Sequence, residues 1–324
     1  MTQGSLYFLT ATRRLAGAFL ATVALAGSVS AADTAAAQRS FASPQEAVEA
    51  LAAAVGADDA AAQLVRVLGP HSADLVSSGD PVADTRGRER FLSSFGKANR
   101  VEMDGADRAV LIIGEKSWPF PIPIVRAGDG WRFDTEAGAE EILDRRIGRN
   151  ELNAIEVSRA TVDAQLEYAS ADRNGDGILE YASRFRSTPG RNDGLYWPAA
   201  ADEPPSPMGP LMASAQAAGY WLEDTRGIQH EPYHGYYYRI LLRQGQDAPG
   251  GAYEYVVKER MIGGFALVAF PAKYGASGIM TFVVNHDGVV YQKDLGPDTG
   301  TIAEALSEFN PDPSWAPVAD QPSQ

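Results

Sequence analysis

The chain has 324 residues, with 28 lysines and arginines against 42 aspartates and glutamates, a formal net charge of −14, and no cysteine. An acidic surface of this kind, with no long basic run, repels nucleic acid and anionic lipid and speaks against binding to either. The missing thiols exclude disulfides, thiolate metal sites, thiol catalysis and a lipid-modified cysteine.

Arg13 and Arg14 stand before an apolar run from Leu15 to Gly27, followed by the small residues Ser28 to Ala31, with no acidic residue among the first 31. This is the layout of a cleavable signal peptide, and the apolar run is short of the roughly 20 residues a membrane span needs. Cleavage near Ala31 is expected, by the general or the twin-arginine route. Losing both arginines takes the 28 basic residues to 26 against 42 acidic ones, so the charge moves from −14 to −16. The expected product is soluble, without stable membrane insertion, in the periplasm or cell envelope. A length near 290 residues suggests two domains.

Residues 32–40 are small and polar and are expected to be disordered. Ser43-Pro44-Gln45-Glu46 predicts a helix start, with Ser43 as cap, Pro44 in the first turn and Glu46 closing a capping box. The apolar spacing from Val48 to Leu68 predicts helix on both sides of a break at Asp58-Asp59, and a third helix is expected over 85–95. Strands follow at 109–113, 118–125 and 130–134, the middle one an edge or extended piece because Pro119, Pro121 and Pro123 cannot donate to a ladder. A long helical pattern covers 138–171, and 179–185 reads as a second helix leaving a loop.

Beyond Pro189 the composition turns proline-rich. A short helix is predicted over 210–222, then strands at 236–242, 253–257, 265–270, 280–284 and 289–292, the last two joined by the hairpin signal Asn285-His286-Asp287-Gly288. The tail from Pro311 is expected to be extended. The reading is an α+β chain: signal peptide 1–31, disordered 32–40, a cone-like domain of helices on a curved antiparallel sheet at 41–137, a helix-loop-helix connector at 138–200, a mainly antiparallel β domain with one short helix at 201–318, and a disordered tail at 319–324.

The loop Asp172-Arg173-Asn174-Gly175-Asp176-Gly177-Ile178-Leu179-Glu180 alternates oxygen-bearing side chains ahead of a glycine, as a calcium ion with six to eight oxygen ligands requires. Asp172, Asn174 and Asp176 hold the first, third and fifth positions of a calcium hand. Ser183 stands where the bidentate glutamate belongs, so Glu180 would have to serve in a shorter geometry. The alternative is a turn whose Asp and Asn side chains cap their own backbone. Calcium is the only cofactor the sequence suggests, and binding there would be weak.

His230-Glu231-Pro232-Tyr233-His234 matches a zinc protease spacing, but Pro232 breaks the helix that would align both imidazoles, so no zinc site is expected. Ser94-Phe95-Gly96-Lys97 matches an acyl-serine motif without the Lys-Thr-Gly partner that chemistry uses. Tyr233, His234 and Tyr236 are the candidates for a ligand groove, or else alternate aromatics of a strand core. No catalytic residue is assigned.

Several motifs in a fixed order carry a resemblance: 75–81, Trp118-Pro119-Phe120-Pro121-Ile122-Pro123, Arg145-Arg146-Ile147-Gly148-Arg149-Asn150-Glu151-Leu152, Ser187-Thr188-Pro189-Gly190, Asp193 to Pro198, Pro232 to Tyr237, Met261 to Ala269, Val284 to Val290 and Lys293 to Thr299. Together they resemble the bacterial family called domain of unknown function 2950 over about 41–318. The resemblance implies an exported bacterial protein and brings no catalytic residues. More weakly, the C-terminal part is similar to globular heads of pilins and pseudopilins, without their long apolar helix, and the N-terminal part to nuclear transport factor 2-like folds. The expectation is a non-enzymatic binding or accessory module whose partner is an envelope protein or a small ligand. The alternative is an envelope hydrolase with a site between the two domains.

Overall fold

The computed structural model describes residues 38–199, 202–220, 224–225, 228–229 and 231–319. The signal-peptide reading at 1–31 lies outside them, as does His230. Helix α1 (Pro44–Val55) begins as its sequence dictates. Ser43 Oγ accepts the Glu46 N–H at 3.1 Å, Pro44 sits in the first turn, and Glu46 reaches back to the Ala42 N–H at 2.9 Å. After the break at Asp58-Asp59 come α2 (Ala60–Leu68), a single 3-10 turn at Pro70–Ser72, the short α3 (Ala73–Val76) and α4 (Pro81–Lys97), the last longer than its pattern predicts.

These helices cover an antiparallel sheet of β1 (Asn99–Met103), β2 (Arg108–Ile113), β3 (Trp118–Pro119), β4 (Ile124–Ala127) and β5 (Gly130–Phe133), in the order β1-β2-β4-β5 with β3 attached to β2. The three prolines have the expected effect: ladder pairing in this stretch is confined to Trp118 and Pro119 until Ile124 resumes it.

Helix α5 (Thr135–Ala169) is 35 residues long, about 52 Å at 1.5 Å per residue. Its apolar side chains do not form one stripe. Ile142 packs into the core under the first sheet, Ala154, Val157 and Val162 into a second core, and Ala164 and Tyr168 into a third. The helix thereby runs through all three.

The expected second helix after the acidic loop is absent: residues 179–185 run without helix. The reason is Gln165 on α5, fully buried, whose side-chain amide donates to the Ala182 carbonyl at 2.7 Å and accepts the Ala182 N–H at 2.8 Å. Tyr181 N–H also donates to the Met261 carbonyl. With the backbone groups of this segment taken by distant partners, a local helix has nothing left to form from.

Helix α6 (Gly209–Ala217) precedes β6 (Asp224–Thr225), β7 (Ile228–Gln229) and β8 (Tyr236–Leu241). Then come β9 (Arg243–Gln244), β10 (Tyr253–Glu254), β11 (Val256–Val257), β12 (Arg260–Met261), β13 (Ala266–Pro271), β14 (Met280–Asn285), β15 (Tyr291–Asp294), α7 (Thr299–Ala305) and β16 (Ala316–Pro317). Seven strands form an antiparallel sheet in the order β16-β15-β14-β13-β8-β7-β6. All six residues of the central β13 are buried, because helices cover both faces. Helix α5 lies on the side of Tyr236 and Tyr238. Arg239, pointing the other way, donates to the last carbonyls of α7 at 2.7 and 2.6 Å. Helix α7 had no counterpart in the sequence reading, so the C-terminal part holds two short helices rather than one. The architecture is α+β, as expected.

The two sheets are tied together. Asn150 donates to the Ser277 carbonyl at 2.9 Å, Glu151 Oε1 accepts the N–H groups of Ile279 and Met280 at 3.0 Å each, and Lys273 Nζ pairs with Asp74 at 2.6 Å. The described residues all belong to one compact unit. Among the described residues no helix is long and apolar enough to cross a membrane.

Candidate functional site

A cleft of about 550 Å³ lies inside the N-terminal half, between α4, the first sheet, α2 and the middle of α5. Its outer wall explains why it exists. Helix α1 buries a continuous face of Ala47, Val48, Leu51, Ala54 and Val55, whereas α4, with 17 residues, buries none of its side chains fully. Asp84, Gly87, Arg88, Phe91 and Ser94, one helical face by their spacing, look into the cleft instead of closing on the sheet.

The cleft has two chemical ends. Toward the sheet, Phe120 sits 5.8 Å from Phe91 and 6.2 Å from Trp118 between ring centroids, both edge-on, and Ile113 and Leu51 continue an apolar floor. Arg145, Arg146 and Arg149 of α5 and Arg88 and Arg90 of α4 supply the cationic part of the lining. Asp84 is the only carboxylate among the lining residues, and it is already engaged by Ser78, whose N–H and hydroxyl donate to it at 3.0 and 2.7 Å.

Arg146 donates to the carbonyls of Asp74 and Leu75 at 2.7 and 2.5 Å, and burial pulls its pKa below the ordinary arginine value, with the neighbouring Arg149 adding to the effect and Asp84 opposing it. Arg145 pairs with Glu141 at 2.6 Å. Arg88, Arg90 and Arg149 form no ion pair among the described residues. Five arginines against one aspartate therefore line a single cleft in a strongly acidic chain. The sequence reading gives 145–152 only as a family motif. The signal was in the spacing, since positions 145, 146 and 149 fall on one side of a helix.

The acidic loop is wound around Asp172. One carboxylate oxygen accepts the N–H of Gly175 and the other that of Gly177, both at 2.8 Å, with longer bonds from Asn174 and Asp176 at 3.3 Å. These donors, Gly177 foremost, hold the Asp172 carboxyl below its usual pKa. Gly175 and Gly177 take φ of 77° and 84°, the left-handed region that makes so tight a winding possible. Asn174 donates to Glu180 at 2.8 Å, and Asp176 divides its oxygens between the Ile178 N–H at 3.0 Å and the guanidinium of Arg260. Burial raises the Glu180 pKa, against the pull of Arg260. The donor set is of the oxygen type a hard cation prefers, but Arg260 already lies on Asp176. Among the described residues no three His, Asp or Glu side chains converge as a metal-holding group.

Tyr233, His234 and Tyr236 are brought together, but in the packed interior and not along the cleft. Tyr236 is fully buried beside Phe282 and donates its hydroxyl to the Met280 carbonyl at 2.9 Å. Tyr233 is buried against the rings of His234 and Tyr220. His234 has φ of 52°, and burial lowers its pKa, so the ring is held neutral near pH 7. Ser94 lines the cleft from α4, while Lys97 is exposed at that helix's last turn.

Fold and cleft together define an α+β protein of two sheets strung on one long helix, with a half-apolar, half-cationic receptacle in its first half. The profile of the family described as "protein of unknown function (DUF2950)" matches residues 38–318, and the chain belongs to that family. No curated protein and no solved structure matches it.

Proposed function

We propose that the chain is an exported, non-enzymatic binding or accessory protein of the periplasm or cell envelope, and that its ligand site is the cleft beneath α4. The observation that carries this reading is the cleft itself. Its volume of about 550 Å³ falls in the roughly 300–1,000 Å³ range of small-molecule sites, and its apolar walls are joined to a few converging polar groups. The other reading, an envelope hydrolase, needs a nucleophile and a base converging in one cleft. The hydroxyls on the cleft wall are those of Ser78 and Ser94, and Ser78 is already bound to Asp84 as part of the turn before α4. The acidic loop takes a second role in this proposal, as a weak calcium site that acts on stability rather than on chemistry.

The test titrates N-phenyl-1-naphthylamine, a neutral apolar fluorophore, into the chain from residue 32 onward, which contains every described residue of the compact unit. Saturable enhancement is expected. Gly87→Phe fills the cleft, because a Cβ at Gly87 meets only the far end of Arg90 at 3.9 Å, and it should abolish the signal without lowering the melting temperature. Undiminished binding by a folded Gly87→Phe protein overturns the assignment of the site. The export half of the proposal is read by mass spectrometry in the native host: an N-terminus near Ala32 supports it, and an intact Met1 sinks it.

A further inference from the structure

We propose that the ligand of this cleft is an amphipathic anion: a single long hydrocarbon chain ending in a carboxylate or a phosphate. The inference rests on the cleft being the ligand site and adds the chemistry of what enters it.

The cleft complements such a molecule at both ends. The aromatic end, built by Phe91, Phe120 and Trp118, offers mainly apolar area and ring faces, its polar groups being the Trp118 indole N–H and the hydroxyl of Ser94, one turn along α4 from Phe91. A polar molecule would lose most of its hydration there for few replacement bonds, whereas a hydrocarbon chain gains from leaving water. The cationic end is the opposite case. Arg88 on α4 and Arg149 on α5 line the cleft with no carboxylate partner among the described residues, and Arg146, close to Arg149, spends its donors on the backbone carbonyls of Asp74 and Leu75. Positive charge beside low-dielectric walls, in a chain of net charge −14, favours an anion there.

Arginine narrows the choice of head group. The planar guanidinium presents donors in a fork that fits carboxylate and phosphate oxygens two at a time, and paired forks from two helices hold such a group better than a diffuse positive field does. Asp84, the one acid on the wall, is hydrogen-bonded by Ser78 and offsets part of the charge at Arg146, which leaves one carboxylate against five arginines. A neutral apolar ligand would leave the arginines unanswered, and a small inorganic anion would leave the aromatic end unused. Only a molecule with both parts answers both ends.

The test measures displacement of the bound naphthylamine fluorophore by palmitate, by hexadecanol of the same chain length, by acetate and by inorganic phosphate, using the chain from residue 32 onward. Palmitate is expected to displace it at a concentration at least about tenfold below that of hexadecanol, the scale of a charge-assisted hydrogen bond, with acetate and phosphate ineffective. The double variant Arg88→Gln/Arg149→Gln, which removes no ion pair of the fold, should erase the palmitate preference while hexadecanol displaces as before. Equal displacement by acid and alcohol overturns the anionic head group but leaves the cleft as an apolar site. A preference that survives in the double variant overturns these arginines as its seat. Failure of the fluorophore to bind at all overturns the ligand site and this inference with it. Replacing palmitate by vesicles of an anionic two-chain phospholipid separates a free single-chain acid from a membrane surface: displacement by vesicles but not by monomeric palmitate also refutes the proposal.

Discussion

The hydroxyl of Tyr220 donates to the carboxylate of Asp80 across 140 positions of sequence, 3.0 Å from oxygen to oxygen, with Asp80 fully buried. The same carboxylate caps α4 through the Ala83 N–H at 2.9 Å and takes the Gly235 N–H at 2.8 Å, so one side chain starts a helix of the first half and fixes a turn of the second. Burial beside Asp80 drives the Tyr220 phenol well above its usual pKa, so it stays a donor throughout the ordinary pH range. Asp80→Ala strands three buried donors and removes a cap, and a loss of about 3 kcal/mol is expected from those two effects. Tyr220→Phe removes one bond and leaves the other two, for about 1 kcal/mol. Urea midpoints at constant m-value measure both losses, and an Asp80→Ala protein as stable as its parent would contradict the latch.

His234 next to that latch sets a pH dependence. Its folded pKa lies below the ordinary value, first through burial and then through Arg86, with Asp80 and Glu156 pulling the other way. Between the lower folded pKa and the unfolded value near 6.5, the unfolded chain binds the extra proton. Stability is therefore fully present above about pH 6.5 and declines as the pH falls toward the folded pKa. Most carboxylates titrate near 4, so melting temperatures taken from pH 7.5 down to 5 report chiefly on the four histidines, and comparison with a variant assigns the share of His234. His234→Asn, chosen because asparagine tolerates the φ of 52° found there, should flatten the slope. An unchanged slope in that variant assigns the effect elsewhere.

What was legible in the sequence is what is decided locally. Ser43-Pro44-Gln45-Glu46 starts α1 because the cap and its partner lie within one turn, and Pro119, Pro121 and Pro123 interrupt the sheet because each lacks its own N–H. The exit from the acidic loop was not legible, since Gln165, 17 residues earlier, captures both backbone groups of Ala182. Strand β1 escapes a pattern search because Asn99, Arg100, Glu102 and Met103 are all exposed at the sheet edge and no alternation marks it. The cleft is harder still: Phe91 and Ser94 look like an ordinary core face, and only the tertiary arrangement shows that they line a cavity.

Two glycines of α5 separate conformational cost from contact. A Cβ at Gly148 meets nothing within 4 Å, so Gly148→Ala should gain about 0.5 to 1 kcal/mol from reduced unfolded-state freedom and better helix propensity. At Gly138 the same atom would lie 2.5 Å from the Pro121 carbonyl oxygen and 2.8 Å from the Ile122 Cα, both backbone, so the clash cannot be relieved by a rotamer. Gly138→Ala should lose about 1 to 3 kcal/mol as α5 is pushed off the proline segment. Thermal melts of the two single variants decide the matter. Equal shifts of one sign would mean that α5 does not pack against Pro121 as described.

Under the proposal that the acidic loop takes calcium, the ion and Arg260 compete for Asp176. Asp172, Asn174, Asp176 and Glu180 supply the oxygens, but Ser183 stands where a full hand carries its bidentate glutamate, and the guanidinium of Arg260 already lies on Asp176. Affinity is therefore expected near that of weak extracellular calcium modules, on the order of 0.1 to 1 mM. At tenfold excess over the dissociation constant, mass action adds about 1.4 kcal/mol. That amounts to roughly 2 to 4 °C in melting temperature for a chain of this size. Arg260→Gln removes the competitor: the variant should melt lower than the natural chain in chelator, yet rise further than it when calcium is added. Asp176→Ala should abolish the response. A calcium shift that is the same in all three proteins, or absent from all three, leaves the loop as a turn wound on Asp172 and removes calcium from the account of this protein.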